Sequence, residues 1–218
     1  AGLSDFQISI GNLEYFKGIC AQAGLDEETE LEIRGLISGK NYFGAEELLD
    51  SINVEKHAKE ALLKVSHMFG SVAVLDEALE VVSNKRSKEA VERLKKVYQV
   101  LCDYGVEKYV SFDLGMLSKY NYYTGIIFKG YTYGVGDAII KGGRYNNLLS
   151  RFGKQSPAIG FVIVVDDLLV AMNRQGTVIS GMEKRSTLYY TEENFKEQLI
   201  NAKRMRSEGK SVELLPKR

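Results

Sequence analysis

Apolar residues recur at helical spacing through most of the first hundred positions. Residues 6–10 differ, because apolar and polar positions alternate there and predict a short strand. Helices are predicted over residues 12–24, 27–38, 44–50, 54–66, 74–82 and 87–103. Asp26 is expected to cap the second of these helices, whose first turn is acidic. The first half of the chain is therefore predicted to be mainly helical.

The apolar pattern changes after residue 105. Three strands are predicted, at Val110–Leu114, Thr124–Tyr133 and Asp137–Lys141. Short turns between consecutive strands favour antiparallel pairing. Gly142 and Gly143 are expected to break this pattern, and a helix is predicted over Tyr145–Phe152.

The last part of the chain holds one more strand of this region and then a separate unit. Ala158–Val165 is an almost continuous apolar run, which predicts a central strand covered on both faces. Asp166 is expected to cap the helix that follows. Residues 176–186 are polar and predict a linker, followed by a strand (187–191), a helix (192–207) and a strand (211–215). A second domain is therefore expected to begin at residue 176.

Composition limits the classes of function. Lys+Arg and Asp+Glu both number 29 among 218 residues, so the net charge is zero, and no nucleic-acid partner is predicted. Cys20 and Cys102 are expected to be buried core thiols, and their separation favours a reducing cytoplasm over a disulfide framework. His57 and His67 lack metal-ligand spacing, so no metal site is predicted.

Neither a membrane partner nor a cofactor is predicted. No apolar run reaches membrane-spanning length. Gly39-Lys40-Asn41 lacks the hydroxyl residue of a phosphate-binding loop, and Gly134-Val135-Gly136 is expected to be a hairpin turn, not a dinucleotide fingerprint. The chain opens on Ala1 with patterned sequence almost at once and stops just as its last strand ends, so it is expected to be part of a longer protein.

Tyrosines are concentrated between residues 120 and 145. For Tyr131 and Tyr133, the preference of strands for aromatic residues is a sufficient explanation. Tyr122 and Tyr123 are expected to point to opposite faces of an extended segment, so that one lines a cavity while the other packs. A tyrosine offers a flat ring with a polar tip, which suits an imidazole ligand.

Two glycines lie close to these tyrosines in the sequence. Gly142 and Gly143 could let the backbone approach a ligand closely, or they could simply form a turn. Spacing alone makes these two interpretations about equally good.

The segment from Asp113 to Phe161 resembles the second half of the histidyl-tRNA synthetase core. Three ordered motifs carry the resemblance. They are Ser118–Gly125 against R-G-L-D-Y-Y-T-G, Gly142–Asn146 against G-G-R-Y-D, and Pro157–Phe161 with Val164–Asp167 against P-A-V-G-F…G-L-E-R.

The resemblance implies a fold and a division into domains. The fold is α+β, with a mostly antiparallel class II synthetase-like sheet and flanking helices, followed by the start of an α/β anticodon-binding-like domain. Residues 1–175 would form the C-terminal part of the core, with a helical insertion at about 50–105, and residues 176–218 the linker and the start of the second domain.

Two departures from the family's motifs bear on catalysis. Ser118 and Asp167 occupy positions where the resemblance expects arginines, one for adenylate formation and one for the ATP phosphates. Cationic groups supply much of the stabilisation of such a reaction, so no aminoacylation is expected. The residues predicted to bind histidine are Tyr122, Tyr123, Gly142, Gly143 and Tyr145. Arg144 is expected to pair with a core carboxylate.

This pattern resembles one paralogue family, the regulatory subunits of short-form ATP phosphoribosyltransferases. That resemblance implies a non-catalytic cytoplasmic subunit, a homodimer within a hetero-oligomer, whose partner is the catalytic phosphoribosyltransferase subunit. Histidine would be the effector, giving feedback control of the first step of histidine biosynthesis. The alternatives are a fragment of a genuine synthetase core and a scaffold whose pocket binds nothing.

Overall fold

A computed structural model of the protein describes residues 2–118, 122–177 and 186–217. The chain divides into two compact units, one of Gly2–Gln175 and one that begins at Gly176. No helix within the described ranges is long and apolar enough to cross a membrane.

The first unit begins with a strand and then runs through six helices, interrupted by a two-residue strand. These elements are β1 (Phe6–Asn12), α1 (Leu13–Gln22), α2 (Glu27–Ser38), α3 (Tyr42–Ser51), α4 (Lys56–Val65), β2 (Phe69–Gly70), α5 (Ala73–Val81) and α6 (Lys85–Asp103). All six helices lie where the apolar spacing predicts them. The Asp26 carboxylate accepts a hydrogen bond from the Thr29 amide at 2.9 Å, which confirms the predicted cap of α2.

The rest of the first unit is mainly strand. Its elements are β3 (Val110–Asp113), β4 (Ile126–Thr132), β5 (Ile140–Tyr145), β6 (Ala158–Ile163) and α7 (Val165–Arg174), with 3₁₀ turns at Glu107–Tyr109 and Leu149–Phe152. The sheet order is β2-β3-β1-β4-β5-β6, and only the β1–β3 pair is parallel. The predicted mostly antiparallel sheet is thus confirmed, but β1 lies between β3 and β4, so those two consecutive strands are not neighbours.

The core lies where α1 and α6 pack on the sheet. Phe16 and Leu94 are completely buried, and the ring of Tyr98 meets Phe112 edge-on at 5.9 Å. The hydroxyl of Ser87 on α6 donates to the carbonyl of Tyr15 on α1 at 2.7 Å, which ties the two helices together through a buried hydrogen bond. These contacts hold the helical side of the sheet firmly in place.

Several predictions about β5 and β6 are wrong. Gly142 and Gly143 continue β5 as far as Tyr145, and the predicted helix over Tyr145–Phe152 is reduced to one 3₁₀ turn. The apolar strand β6 lies at the edge of the described sheet, with Phe161 62% exposed, so it is neither central nor covered on both faces. These predictions failed for the same reason. The strands that pair with β5 and β6 come from distant parts of the chain, which a local sequence pattern does not show.

Two smaller predictions also differ. Asp166 lies in the first turn of α7, one residue inside it, and Val164 occupies the cap position without a side-chain cap. Cys20 is buried as expected, whereas Cys102 is only half-buried.

The second unit contains β7 (Ser186–Tyr190), α8 (Phe195–Ser207) and β8 (Val212–Pro216). The two strands pair in parallel, with Leu188 opposite Leu214, and the helix is the crossover between them. Ala202 of α8 is fully buried, and Tyr190 meets Phe195 edge-on at 4.9 Å. This is the predicted βαβ unit.

Candidate functional site

The predicted ligand site begins in a turn rather than in a strand. Residues 122–125 precede β4, and Gly125 has a φ of 112°, a backbone conformation that favours glycine. The turn is fixed by hydrogen bonds from the Thr124 amide to the Arg144 carbonyl at 2.8 Å and from the Leu13 amide to the Gly125 carbonyl at 2.9 Å. The turn therefore has a defined position between α1 and the end of β5. Lys119, Tyr120 and Asn121, from the same motif, lie outside the described residues.

Three of the predicted residues form a tyrosine cluster, which consists of Tyr122, Tyr123 and Tyr145. The ring of Tyr122 lies 4.3 Å from that of Tyr123, tilted by 42°, and 5.9 Å from that of Tyr145, at 86°. The expectation that Tyr122 and Tyr123 point to opposite faces is wrong, because a turn does not impose the alternation of a strand. The fold nevertheless brings tyrosines of two motifs into ring contact, with Tyr122 touching both Tyr123 of the same motif and Tyr145 of the next.

The two predicted glycines lie next to each other in β5, beneath aromatic side chains. A Cβ added at Gly143 would lie 2.8 Å from Tyr123 Cδ1 and 2.9 Å from the carbonyl oxygen of Ile126. One added at Gly142 would lie 2.6 Å from both Phe128 and Phe161. The absence of side chains at these positions is what allows Tyr123 and Phe128 to pack against the strand.

A cleft of about 610 Å³, called the first cleft below, opens beside the tyrosine cluster. Of the predicted residues, Ser118, Tyr123 and Gly142 line it, whereas Tyr122, Gly143, Tyr145 and Asp167 do not. Its volume is within the range of small-molecule sites. The five residues predicted to bind histidine thus form a continuous group, of which Tyr123 and Gly142 face this cleft.

The first cleft also contains polar residues that lie outside the three sequence motifs. Its charged lining residues are Lys40, Asp113, Lys129 and Lys141, and the aromatic rings of Tyr42 and Tyr131 add to it. The period-two spacing of Ile127, Lys129 and Tyr131 could have placed them on one face of β4. Tyr131 faces the cleft, so the preference of strands for aromatic residues does not by itself explain its position.

Burial and charge act on two ionisable groups in this cleft. Burial raises the pKa of the Asp113 carboxyl, and the amides of Gly115 and Met116 and the charge of Lys129 act against that rise. Burial also raises the pKa of the Tyr131 hydroxyl, with a further contribution from the negative charge of Asp113. The cleft is therefore partly shielded from water, which strengthens electrostatic interactions inside it.

The two positions where the resemblance expects arginines differ in their relation to the first cleft. Ser118 lines the first cleft, whereas Asp167 lies next to Asp166 in the acidic first turn of α7. Positive charge is still present in the first cleft, but lysines on other elements supply it.

A second cleft, of about 510 Å³, contains Arg86, Arg93, Arg144 and Glu14 in its lining. Arg144 donates through Nε to Asn146 Oδ1 at 2.9 Å, and no carboxylate in the described part of the chain pairs with it. The expected pair between Arg144 and a core carboxylate is therefore not found. Arg86 is held by Glu14 at 2.6 Å.

Within the described ranges, no group of three or more His, Cys, Asp or Glu side chains is placed to hold a metal ion. The ring of His67 instead lies 5.4 Å from that of Tyr42.

Comparison with known proteins places these features in a family context. A family model described as histidyl-tRNA synthetase matches residues 1–168. A curated relative from Acetivibrio thermocellus, described as an ATP phosphoribosyltransferase regulatory subunit, is 40% identical over 213 residues, which cover 98% of this chain and 51% of the relative. The chain spans about half the length of the curated relatives it matches.

Solved structures show the same architecture. A structure from Bacillus halodurans, described as an ATP phosphoribosyltransferase regulatory subunit/histidyl-tRNA synthetase, has a TM-score of 0.72 at 29% identity and covers 99% of this chain and 55% of its own. Histidyl-tRNA synthetase from Nostoc sp. PCC 7120 has a TM-score of 0.69 at 21% identity, with coverage of 98% and 53%. The predicted α+β fold of the class II synthetase type is confirmed.

Proposed function

The chain belongs to the histidyl-tRNA synthetase family, and from that premise we propose that it is part of the non-catalytic regulatory subunit of an ATP phosphoribosyltransferase that binds histidine. The relative from Acetivibrio thermocellus, at 40% identity, bears the name of that subunit. Histidine binding is supported above all by the ring contact of Tyr122 with both Tyr123 and Tyr145.

The absence of catalysis is supported by the side chains at two positions. A synthetase of the resembled type uses arginines where this chain has Ser118 and Asp167. Adenylate formation gathers negative charge from the amino acid and the ATP phosphates, and a carboxylate near that charge raises its energy instead of lowering it. Asp167 follows another aspartate in the same helical turn, so the local charge is reversed rather than merely reduced.

Histidine fits the chemistry of the tyrosine cluster. An imidazole can pack on one tyrosine ring while its nitrogens exchange hydrogen bonds with a hydroxyl. Tyr123 lines the first cleft directly, and Tyr122 is in ring contact with both Tyr123 and Tyr145. In the proposed complex, Tyr122 or Tyr123 and Tyr145 contact the imidazole, and Gly142 and Gly143 lie beside the ligand.

The proposed partner is the catalytic phosphoribosyltransferase subunit, and the proposed assembly is a homodimer within a cytoplasmic hetero-oligomer. The catalytic subunit joins ATP to phosphoribosyl pyrophosphate, and histidine bound to the regulatory subunit lowers that activity. Inhibition requires that histidine bind the inhibited state more tightly than the active one, because only a difference in affinity shifts an equilibrium.

Calorimetry on the full-length protein tests the ligand. We expect saturable heat with histidine, and a loss of affinity of roughly tenfold or more in the Tyr123→Ala variant. Tyr133→Ala is the matched control, because Tyr133 is 68% exposed and lies on the same strand–turn segment outside the first cleft. A scaffold whose pocket binds nothing would give no heat specific to histidine.

A second experiment separates regulation from synthesis. We expect no histidine-dependent exchange between ATP and pyrophosphate in the full-length protein, and histidine inhibition of phosphoribosyl transfer only when both subunits are mixed. Robust exchange would overturn the regulatory proposal and favour a genuine synthetase core.

A further inference from the structure

Two lysines stand directly opposite each other on the floor of the first cleft. Lys129 of β4 and Lys141 of β5 are register partners in the antiparallel pair, so their side chains project from the same face of the sheet. Both line the first cleft. Like charges in directly opposite positions are unfavourable, so this arrangement costs the fold some stability unless an anion offsets it.

Only one lysine of the pair has a partner in the described part of the chain. Lys141 Nζ donates to Asp137 Oδ2 at 2.6 Å. Lys129 makes no ion pair or hydrogen bond there, although its charge acts on Asp113 and Asp137 from a greater distance. An ammonium group with three donors is thus available to a ligand.

A third lysine, Lys40, lines the same cleft. Lys40, in the link between α2 and α3, has a φ of 58°, and it makes no ion pair within the described ranges. Three lysines therefore line the cleft against one lining carboxylate, Asp113, and Asp137 offsets Lys141. One positive charge remains in excess, which matches a ligand with a single negative group.

We propose that Lys129 and Lys141 form an anion subsite in the first cleft, which binds the carboxylate of the amino-acid ligand while its ring lies toward Tyr123. This inference rests on the proposed function for the identity of the ligand, but its chemistry is that of any small carboxylate or phosphate. Hydrogen bonds between an ammonium and an anionic oxygen are about twice as strong as neutral ones. The lysine pair is thereby a determinant of specificity for the charged end of the ligand.

The test compares two ligands that differ in one charge. The full-length protein is titrated by calorimetry with histidine and with histidine amide, in which a neutral amide replaces the carboxylate. We expect histidine to bind roughly ten- to hundredfold more tightly than the amide. In Lys129→Met and in the double variant with Lys141→Met, the affinity for histidine should fall to that for the amide.

Two further variants control for charge and for folding. Lys129→Arg keeps the cation and should restore most of the difference between the ligands. Lys88→Met removes an exposed lysine of α6 that does not line the first cleft, and it should leave both affinities unchanged. Unchanged binding of histidine amide in Lys129→Met also reports that the variant is folded.

The outcomes separate this inference from the proposed function. If histidine binds and Lys129→Met keeps the full preference over the amide, the anion subsite is wrong while the proposed function stands. If histidine does not bind but inorganic phosphate does, and the lysine variants lose it, the subsite stands and the proposed function fails. If neither ligand binds, both are overturned.

Discussion

The helical core and the last strand of the sheet both carry large apolar side chains, but these side chains have opposite environments. Phe16 and Leu94, on α1 and α6, are 0% exposed, whereas Ile159 and Phe161, on β6, are 67% and 62% exposed. The difference comes from neighbours, because α1 and α6 cover each other and the sheet, while β6 has β5 as its hydrogen-bonded neighbour in the described sheet and lies at the edge. An apolar run thus indicates that an element forms without indicating how deeply it is buried.

The largest expected effect is the difference in stability between replacing a phenylalanine in the helical core and replacing one in β6. In the 218-residue chain, Phe16→Ala should lower the free energy of unfolding by about 3–5 kcal/mol, because it leaves a cavity among fully buried side chains. Phe161→Ala should cost less than about 1 kcal/mol, since most of that ring already contacts water. Urea denaturation measures both. Equal losses would mean that β6 is covered as deeply as the core.

How far the sequence could predict the fold depends on whether the determinants are local. The helix α2 could be placed correctly because Asp26 and its acidic first turn lie within a few residues of each other. The βαβ unit could also be predicted, because its turn and apolar signals are contiguous. The position of β6 depends on which strands flank it, and that information is spread over the whole chain.

The site shows the same division. The proximity of Tyr122, Tyr123 and Tyr145 could be predicted from the motifs, because resemblance to a family of known fold carries information about tertiary structure. The lysine pair could not be foreseen, since Lys129 and Lys141 become neighbours only through the register of β4 and β5. The expectation that Tyr122 and Tyr123 point to opposite faces is wrong because it assumes an extended segment, whereas these residues lie in a turn before β4.

An intermediate effect is expected from a methyl group added under the tyrosine cluster. Gly143→Ala should destabilise the protein by about 1–3 kcal/mol, because its Cβ would lie 2.9 Å from the backbone carbonyl of Ile126, which cannot move aside easily. It should also displace Tyr123, whose Cδ1 is 2.8 Å away, and weaken histidine binding. Thermal denaturation and calorimetry measure the two effects.

Gly136→Ala is the matched control for that variant. No atom lies within 4 Å of the position that its Cβ would take, so its stability and ligand binding should stay close to those of the parent protein. If Gly143→Ala also left stability and ligand binding unchanged, there would have to be space for a methyl group between β5 and the ring of Tyr123. That result would contradict the close packing of Tyr123 on β5.

The smallest expected effect contrasts a shielded carboxylate with an exposed one. Burial raises the pKa of Asp113, so the folded state holds this proton more tightly than the unfolded chain, and the contribution of Asp113 to stability falls as pH rises through the acid range. Hydrogen bonds from Lys141 and from the Ala138 amide lower the pKa of Asp137, so its contribution is present at neutral pH and is lost as pH falls. As the pH rises from 3 to 6, the free energy of unfolding of the parent protein should therefore decrease relative to that of Asp113→Asn. Over the same range it should increase relative to that of Asp137→Asn. Urea denaturation across that range measures both slopes. Two slopes of the same sign would mean that Asp113 is as open to water as Asp137, and the first cleft would then lack the shielding that its lysines need to hold an anion firmly.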